Sequence, residues 1–173
     1  MAFPLRSGAL IVTAELGAED FAWLDGVRRR HYPADRNRVP AHLTMLHSVP
    51  PSAESEVRGR LADLAAGPAP AATIEGLIDL GGGAAFRVVS DDLDALRAGL
   101  AHDLHGLLSA QDAGGWRPHV TIQNKVEPEA ARELLRSLER DFHPRPLRIA
   151  GFGLHHYLGG PWETLGVYKF RGR

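Results

Sequence analysis

Two short runs carry the chemistry that is easiest to recognise in this sequence. His42-Leu43-Thr44-Met45 and His119-Val120-Thr121-Ile122 share the pattern His, aliphatic, Thr, aliphatic, and they lie 77 positions apart. In an extended strand, residues two apart project from one face, so each His shares a face with its Thr while Leu43, Met45, Val120 and Ile122 turn the other way. Imidazole suits acid and base catalysis, because its ordinary pKa of about 6.5 leaves either protonation state accessible near neutrality. The reaction that fits is cleavage of a phosphodiester. One ring takes a proton from the attacking water and the other gives a proton to the departing ribose oxygen. Thr44 and Thr121 donate hydrogen bonds to the non-bridging oxygens as charge develops there. The scheme needs no metal.

A single His-x-Thr in a strand is usually a hydrogen-bonded, partly buried side chain. Here the repeat continues beyond the motif without a gap. A shift of 77 lays Val49 on Val126, Pro51 on Pro128, Ala53 on Ala130, Glu56 on Glu133 and Leu61 on Leu138. A strand, a proline break and a helix thus recur in register. Two copies make a pseudo-twofold and not a solenoid, and an approximate twofold brings both His-Thr pairs into one cleft as a symmetric oxyanion site.

The elements that must position these residues read as follows. Residues 9–16 are apolar and β-branched between Ser7-Gly8 and Gly17, which predicts a strand. Residues 18–31 form a helix with Phe21, Trp23, Leu24 and Val27 inward, Glu19-Asp20 at its start and Arg28 to Arg30 as its solvated end. A strand over 42–49 carries the first motif, and a helix follows over 53–66. Strands over 72–80 and 85–90 are joined by Gly81-Gly82-Gly83 as a hairpin. A helix runs from 91 to about 109, capped at Ser90 or Asp91, and a loop covers 111–117. The second motif strand spans 119–126, a helix spans 129–141, and strands near 147–158 and 164–170 finish the chain around Gly159-Gly160-Pro161. The expected fold class is α+β, with mainly antiparallel sheet, in one domain over 1–173.

The balance of 20 basic and 21 acidic residues gives no overall positive field to hold duplex DNA. With no Cys there is no disulfide framework, thiolate metal site or Cys nucleophile, which is compatible with a reducing cytoplasm. The stretch from Met1 to Leu16 has too short an apolar run for a signal peptide or a membrane span. A cytoplasmic monomer with a nucleotide or RNA-end substrate is the expectation.

The paired motifs, their separation and a proline ahead of each (Pro40 and Pro118) resemble the two-histidine phosphoesterase superfamily, and within it the bacterial 2′-5′ RNA ligase and 2′,3′-cyclic phosphodiesterase branch. The resemblance covers nearly the whole chain. It implies a bilobed pseudo-twofold of two sheet-plus-helix halves around a central cleft, with His42 and His119 catalytic and Thr44 and Thr121 on the phosphate. It also implies no metal cofactor, His42 as acid and His119 as base. The implied reaction opens a nucleoside or RNA-terminal 2′,3′-cyclic phosphate to the 2′-phosphate. RNA ligation in the reverse sense, or a nucleotide-binding module with little turnover, are the alternatives.

Other residues are weighed on their own chemistry. Lys125 shares strand parity with His119 and Thr121 and is a candidate phosphate contact, against a solvated strand end. Tyr157 and Trp162 flank the Gly159-Gly160 turn and are candidates to stack a base, against hairpin packing. Arg36, Arg38 and Arg117 lead into the motif strands and widen the positive field. A metal centre from His47, His155 and His156 is disfavoured, because the adjacent pair points to opposite faces. A serine hydrolase lacks its Gly-x-Ser-x-Gly elbow, and the glycine triplet lacks the Lys-Ser/Thr of a phosphate-gripping loop.

Overall fold

The computed structural model describes residues 8–172, so most of the reading of the N-terminal stretch falls on residues 1–7, outside the described residues. In chain order the elements are β1 (Leu10–Leu16), α1 (Ala18–His31), β2 (Leu43–Val49), a 3-10 turn at Pro51–Ala53, α2 (Glu54–Ala65), β3 (Ala71–Asp79) and β4 (Ala84–Val89). They continue with α3 (Asp91–Asp103), the short α4 (Ala110–Ala113), β5 (His119–Gln123), α5 (Pro128–Asp141), β6 (Arg145–Tyr157) and β7 (Trp162–Lys169). The fold is α+β, and every strand pairing is antiparallel.

The strand order is β2-β1-β6-β3-β4-β5, with β7 on the free side of β6. β6 belongs to both lobes. Its first residues, Arg145 to Arg148, pair with β3, whereas Ile149 to His156 pair with β1 and Gly151 to Tyr157 with β7. Under the 77-residue shift β3 falls within β6, yet each lies against the other half of the chain, β3 on β4 and β6 on β1. Each lobe therefore contains strands from both halves of the sequence. The two motif strands, β2 and β5, end the order and lie against one another.

The alternation expected of the motifs holds. Leu43, Met45, Val120 and Ile122 are fully buried, while Thr44 and Thr121 stay partly exposed on the opposite face. The core closes over them with Val57, Leu61 and Ala65 of α2, Leu93 and Leu100 of α3, and Leu134 and Leu135 of α5. Each large apolar side chain sequestered in this way contributes roughly 1.5–3 kcal/mol. Gly81-Gly82-Gly83 is the turn of the β3–β4 hairpin, with Gly81 at φ 85°. A side chain at Gly83 would overlap the backbone of Gln123, which is why β4 and β5 can pair so close to the turn.

Several expectations need correction. The helix foreseen to about 109 stops at Asp103, because Leu104 leaves helical geometry and Gly106 takes the left-handed φ of 85°. Ser109 then caps α4 by accepting from Asp112 N, inside what reads as a featureless loop. The second motif strand ends at Gln123 and not at 126. Lys125 sits at φ 61° with its N–H donating to Asn124 Oδ1, so strand alternation does not aim its side chain at the site. The arginine run is not uniformly solvated either: Arg29 and Arg30 are exposed, but Arg28 is only 4% exposed.

α4 has a specific mechanical purpose. The Asp112 side chain is fully buried and accepts from the backbone N–H groups of His47 and Ser48, each at 2.9 Å, and from His47 Nδ1 at 3.0 Å. Its own carbonyl accepts from Arg97 at 2.6 Å. Burial alone would raise the Asp112 carboxyl, but the bonds from His47 and Ser48 outweigh it and hold it below the usual range. The far end of β2 is thereby tied to the segment that leads into β5. Asp112→Ala is expected to cost about 2–4 kcal/mol in denaturant unfolding. Because the folded-state pKa is depressed, this contribution is fully present above the ordinary carboxylate value and lost as pH falls below it. The difference between wild type and Asp112→Ala should accordingly shrink in strong acid.

Candidate active site

The two motif histidines are held by the same local device. His42 Nδ1 lies 2.8 Å from the Pro40 carbonyl, and His119 Nδ1 lies 2.7 Å from the Arg117 carbonyl. A carbonyl can only accept, so each Nδ1 carries a proton and donates it. In the neutral ring that leaves Nε2 as the lone-pair nitrogen, available for proton transfer. Both contacts reach back two residues, so they follow from the chain's path into β2 and β5. The hydroxyls of Thr44 and Thr121 have no side-chain hydrogen-bond partner among the described residues, and both Thr residues lie on the partly exposed face of their strands.

The carbonyls of the same two threonines are closed off across the cleft. Thr44 O accepts from Trp116 Nε1 at 3.1 Å, and Thr121 O accepts from Arg28 at 2.9 Å. Arg28 reaches over from α1, also donates to Asn37 Oδ1 and lies 4.2 Å from the Tyr32 ring centroid. Arg97 does the converse from α3, donating to Met45 O at 3.2 Å while lying over the Trp116 ring. These crossing contacts occupy the free edges of β2 and β5.

The pseudo-twofold does not extend to the surroundings of His42. The Trp162 ring packs on His42 at 4.6 Å between centroids and on His155 at 5.3 Å. Burial in this corner pushes the His42 imidazole down to about 4, helped by the nearby charges of Arg28, His155 and His119 and opposed by the Pro40 hydrogen bond. His42 is therefore neutral in the free protein at neutral pH. Beside it opens a cavity of about 320 Å³, bordered by Glu15, Phe21, Arg38, His155 and Trp162.

Of the residues weighed from sequence, His42, Trp162 and Arg38 border the cavity, with the Trp162 ring on His42; His119 is near enough for its charge to bear on His42, and Thr44 and Thr121 sit on β2 and β5, the strands that lie against one another. Tyr157 pairs with Trp162 across the β6–β7 hairpin but does not border the cavity. Arg36 is turned to Asp35, and Arg117 contributes its carbonyl. His47 is taken by Asp112, and His156 lies 3.8 Å from Glu163. Among the described residues no three His, Asp or Glu side chains cluster as a metal site. Sequence reasoning missed His155, Glu15 and Arg28. For His155 a signal existed, because alternation in β6 must turn one of the two adjacent histidines inward. For Arg28 none did, since a helix-end arginine looks solvated.

Solved structures share this architecture. The chain superposes on TT0787 of Thermus thermophilus with a TM-score of 0.67 and 19% identity, covering 95% of this chain and 99% of that one. Escherichia coli LigT complexed with 3′-AMP gives a TM-score of 0.64 at 17% identity, covering 94% and 98%. A structure described as a phosphoesterase gives 0.64 at 18% identity, covering 95% and 98%. At such identities the likeness is one of fold. No curated protein matches the chain by sequence. The family model for the 2′-5′ RNA ligase superfamily matches residues 16–161, a span that holds both His-x-Thr strands and most of the chain, and the protein belongs to that superfamily of phosphoesterase and ligase-type enzymes.

Proposed function

We propose that the protein hydrolyses a nucleoside or RNA-terminal 2′,3′-cyclic phosphate to the 2′-phosphate by metal-free catalysis between His42 and His119. The observation that carries this reading is the pair of rings fixed by the same Nδ1-to-carbonyl bond on two adjoining strands, which leaves two Nε2 atoms and two threonine hydroxyls unclaimed among the described residues. That is the donor and acceptor set needed by an in-line displacement at phosphorus. The nucleotide class is supported by the LigT structures, which hold 3′-AMP, NADP+ and ATP.

The electrostatics favour roles opposite to those the family resemblance implies. A ring pushed down to about 4 by burial starts deprotonated near neutrality, the state a base needs, and an anionic substrate beside it moves that value back towards the operating pH, where a base works best. His42 Nε2 takes a proton from the attacking water as the new oxygen–phosphorus bond forms. The bond from phosphorus to O3′ breaks, and His119 supplies the proton that O3′ needs. Thr44 and Thr121 donate to the non-bridging oxygens throughout. Before chemistry, the anionic phosphate and the crossing Arg28 place one negative and one positive charge near His42, so the base stays tunable by the bound substrate.

The decisive assay follows hydrolysis of 2′,3′-cyclic nucleotides with the product regioisomers resolved, in the presence of EDTA. Turnover should persist in EDTA, give the 2′-phosphate alone, and fall by more than about 100-fold in His42→Ala and in His119→Ala with folding unchanged. Near-normal rates in either variant would refute the mechanism. An added RNA with a free 5′-hydroxyl in the same assay reads out ligation directly. In the free enzyme kcat/KM should rise through about pH 4, the His42 value, and fall again at higher pH once the acid that serves O3′ is deprotonated, which gives a bell-shaped profile. A rising limb near pH 6.5 would instead assign the base to a group of ordinary pKa. Thr44→Val and Thr121→Val should each lower kcat/KM by about 1–3 kcal/mol of transition-state stabilisation, with little change in unfolding midpoint.

A further inference from the structure

The cavity beside His42 belongs to one lobe only. Its border includes neither His119 nor either motif threonine, so it extends away from the position of the phosphate. Its floor is a connected set of polar side chains. Thr13 Oγ1 lies 2.8 Å from His155 Nε2, His155 Nδ1 lies 3.1 Å from Thr164 Oγ1, and Thr13 Oγ1 lies 3.4 Å from Glu15 Oε1. An ionised carboxylate can only accept, so the Thr13 hydroxyl donates to Glu15 and accepts from His155 Nε2–H. His155 Nδ1 then accepts from Thr164. Every member of the chain has its direction set by Glu15.

The floor is built for this cluster. Gly153 of β6 lies directly beneath it, and a side-chain carbon there would overlap Glu15 Oε1, His155 Nε2 and Thr13 Oγ1. Glu15 Oε2 has no hydrogen-bond partner among the described residues, although burial pushes the carboxyl up from its ordinary value. A partly desolvated carboxylate with an open acceptor is one half of a recognition contact. The walls supply the other requirement for a flat heterocycle, with Trp162 and Phe21 as aromatic faces and Leu16, Val39 and Pro161 as apolar filling. The volume of about 320 Å³ is at the lower end for small-molecule pockets, which suits one base.

We propose that this cavity is a guanine-selective nucleobase pocket, in which the Glu15 carboxylate accepts from guanine N1–H and the 2-amino group between the Trp162 and Phe21 walls. Only guanine presents two adjacent donors on that edge. Adenine and cytosine set a ring-nitrogen lone pair beside their amino group, and uracil sets two carbonyls around its single N–H, so each opposes an acceptor to the carboxylate. The exposed Arg38 at the rim is a donor suited to guanine O6 and N7. The assignment rests on the preceding reading in one respect, that the phosphate lies between His42 and His119.

Calorimetric binding of the 2′-monophosphates of guanosine, inosine, adenosine, cytidine and uridine, paired with kcat/KM on the matching 2′,3′-cyclic nucleotides, tests it. Guanosine 2′-monophosphate should bind wild type at least about tenfold more tightly than the adenosine or inosine compound, inosine lacking the 2-amino donor. Glu15→Gln should lose about tenfold for guanosine and shift preference towards adenosine, because a carboxamide offers one acceptor and one donor to the adenine 6-amino group and N1. Equal affinities across the wild-type panel would overturn the proposal whatever the variant does, and so would an undiminished guanine preference in a folded Glu15→Gln. Guanine-selective binding without turnover would reject hydrolysis and keep the pocket, whereas turnover without base preference would do the reverse.

Discussion

The constraint on which this structure depends is that β2 and β5 must lie side by side without pairing. Both are sheet edges with unpaired carbonyls, and edges of this kind join readily when they meet. Had they joined, the sheet would close and the His-Thr faces would lose the space between them. The carbonyls of Thr44, Met45 and Thr121 are instead taken by Trp116 Nε1, Arg97 and Arg28, reaching in from neighbouring elements. Two of these donors are buried arginines with no carboxylate hydrogen-bonded to them among the described residues, and a buried charge of that kind is costly unless its donors are well used. Carbonyl bonds and aromatic faces offset that cost here, Tyr32 under Arg28 and Trp116 under Arg97. Side chains thus satisfy the backbone while holding the cleft open.

The exchange of third strands gives that cleft a rigid frame. Because Arg145 to Arg148 of β6 pair with β3 while the rest of β6 pairs with β1, neither lobe can move as an independent body without breaking sheet hydrogen bonds. β6 threads through both lobes, and Asp112 fastens the far end of β2 to the segment before β5. Preorganisation of this sort matters for acid and base chemistry, where the donors must already be in place when charge develops.

The surroundings of the two motif histidines nevertheless differ, because the β6–β7 hairpin brings Trp162, His155 and Thr164 to the His42 side. Two residues equivalent in sequence are thereby given different surroundings. His42 loses solvent and remains neutral, and a cavity with its own polar floor opens next to it. A duplicated motif becomes a site with a distinct direction, which a reaction with an attacking and a departing oxygen requires.

Much of this was legible in the residues themselves. The period-2 alternation of both motifs determined which side chains are core and which face the cleft, and the repeat at 77 positions determined that the two faces are equivalent. Gly81-Gly82-Gly83 punctuated the chain at a turn where Gly81 is left-handed, and Pro51 and Pro128 did so at the starts of the 3-10 turn and α5. The ends of elements were less legible, because they are decided by single contacts. β5 stops at Gln123 where Lys125 turns left-handed, and α3 stops short of Gly106. What only the tertiary structure decided is which distant polar groups meet. Arg28 looks solvated until Thr121 is brought opposite it, Glu15 is an ordinary strand residue until Gly153 makes room over β6, and His155 has no role until β7 lays Trp162 across it. Local sequence sets direction and period along one strand, whereas burial and charge are properties of what lies across the gap.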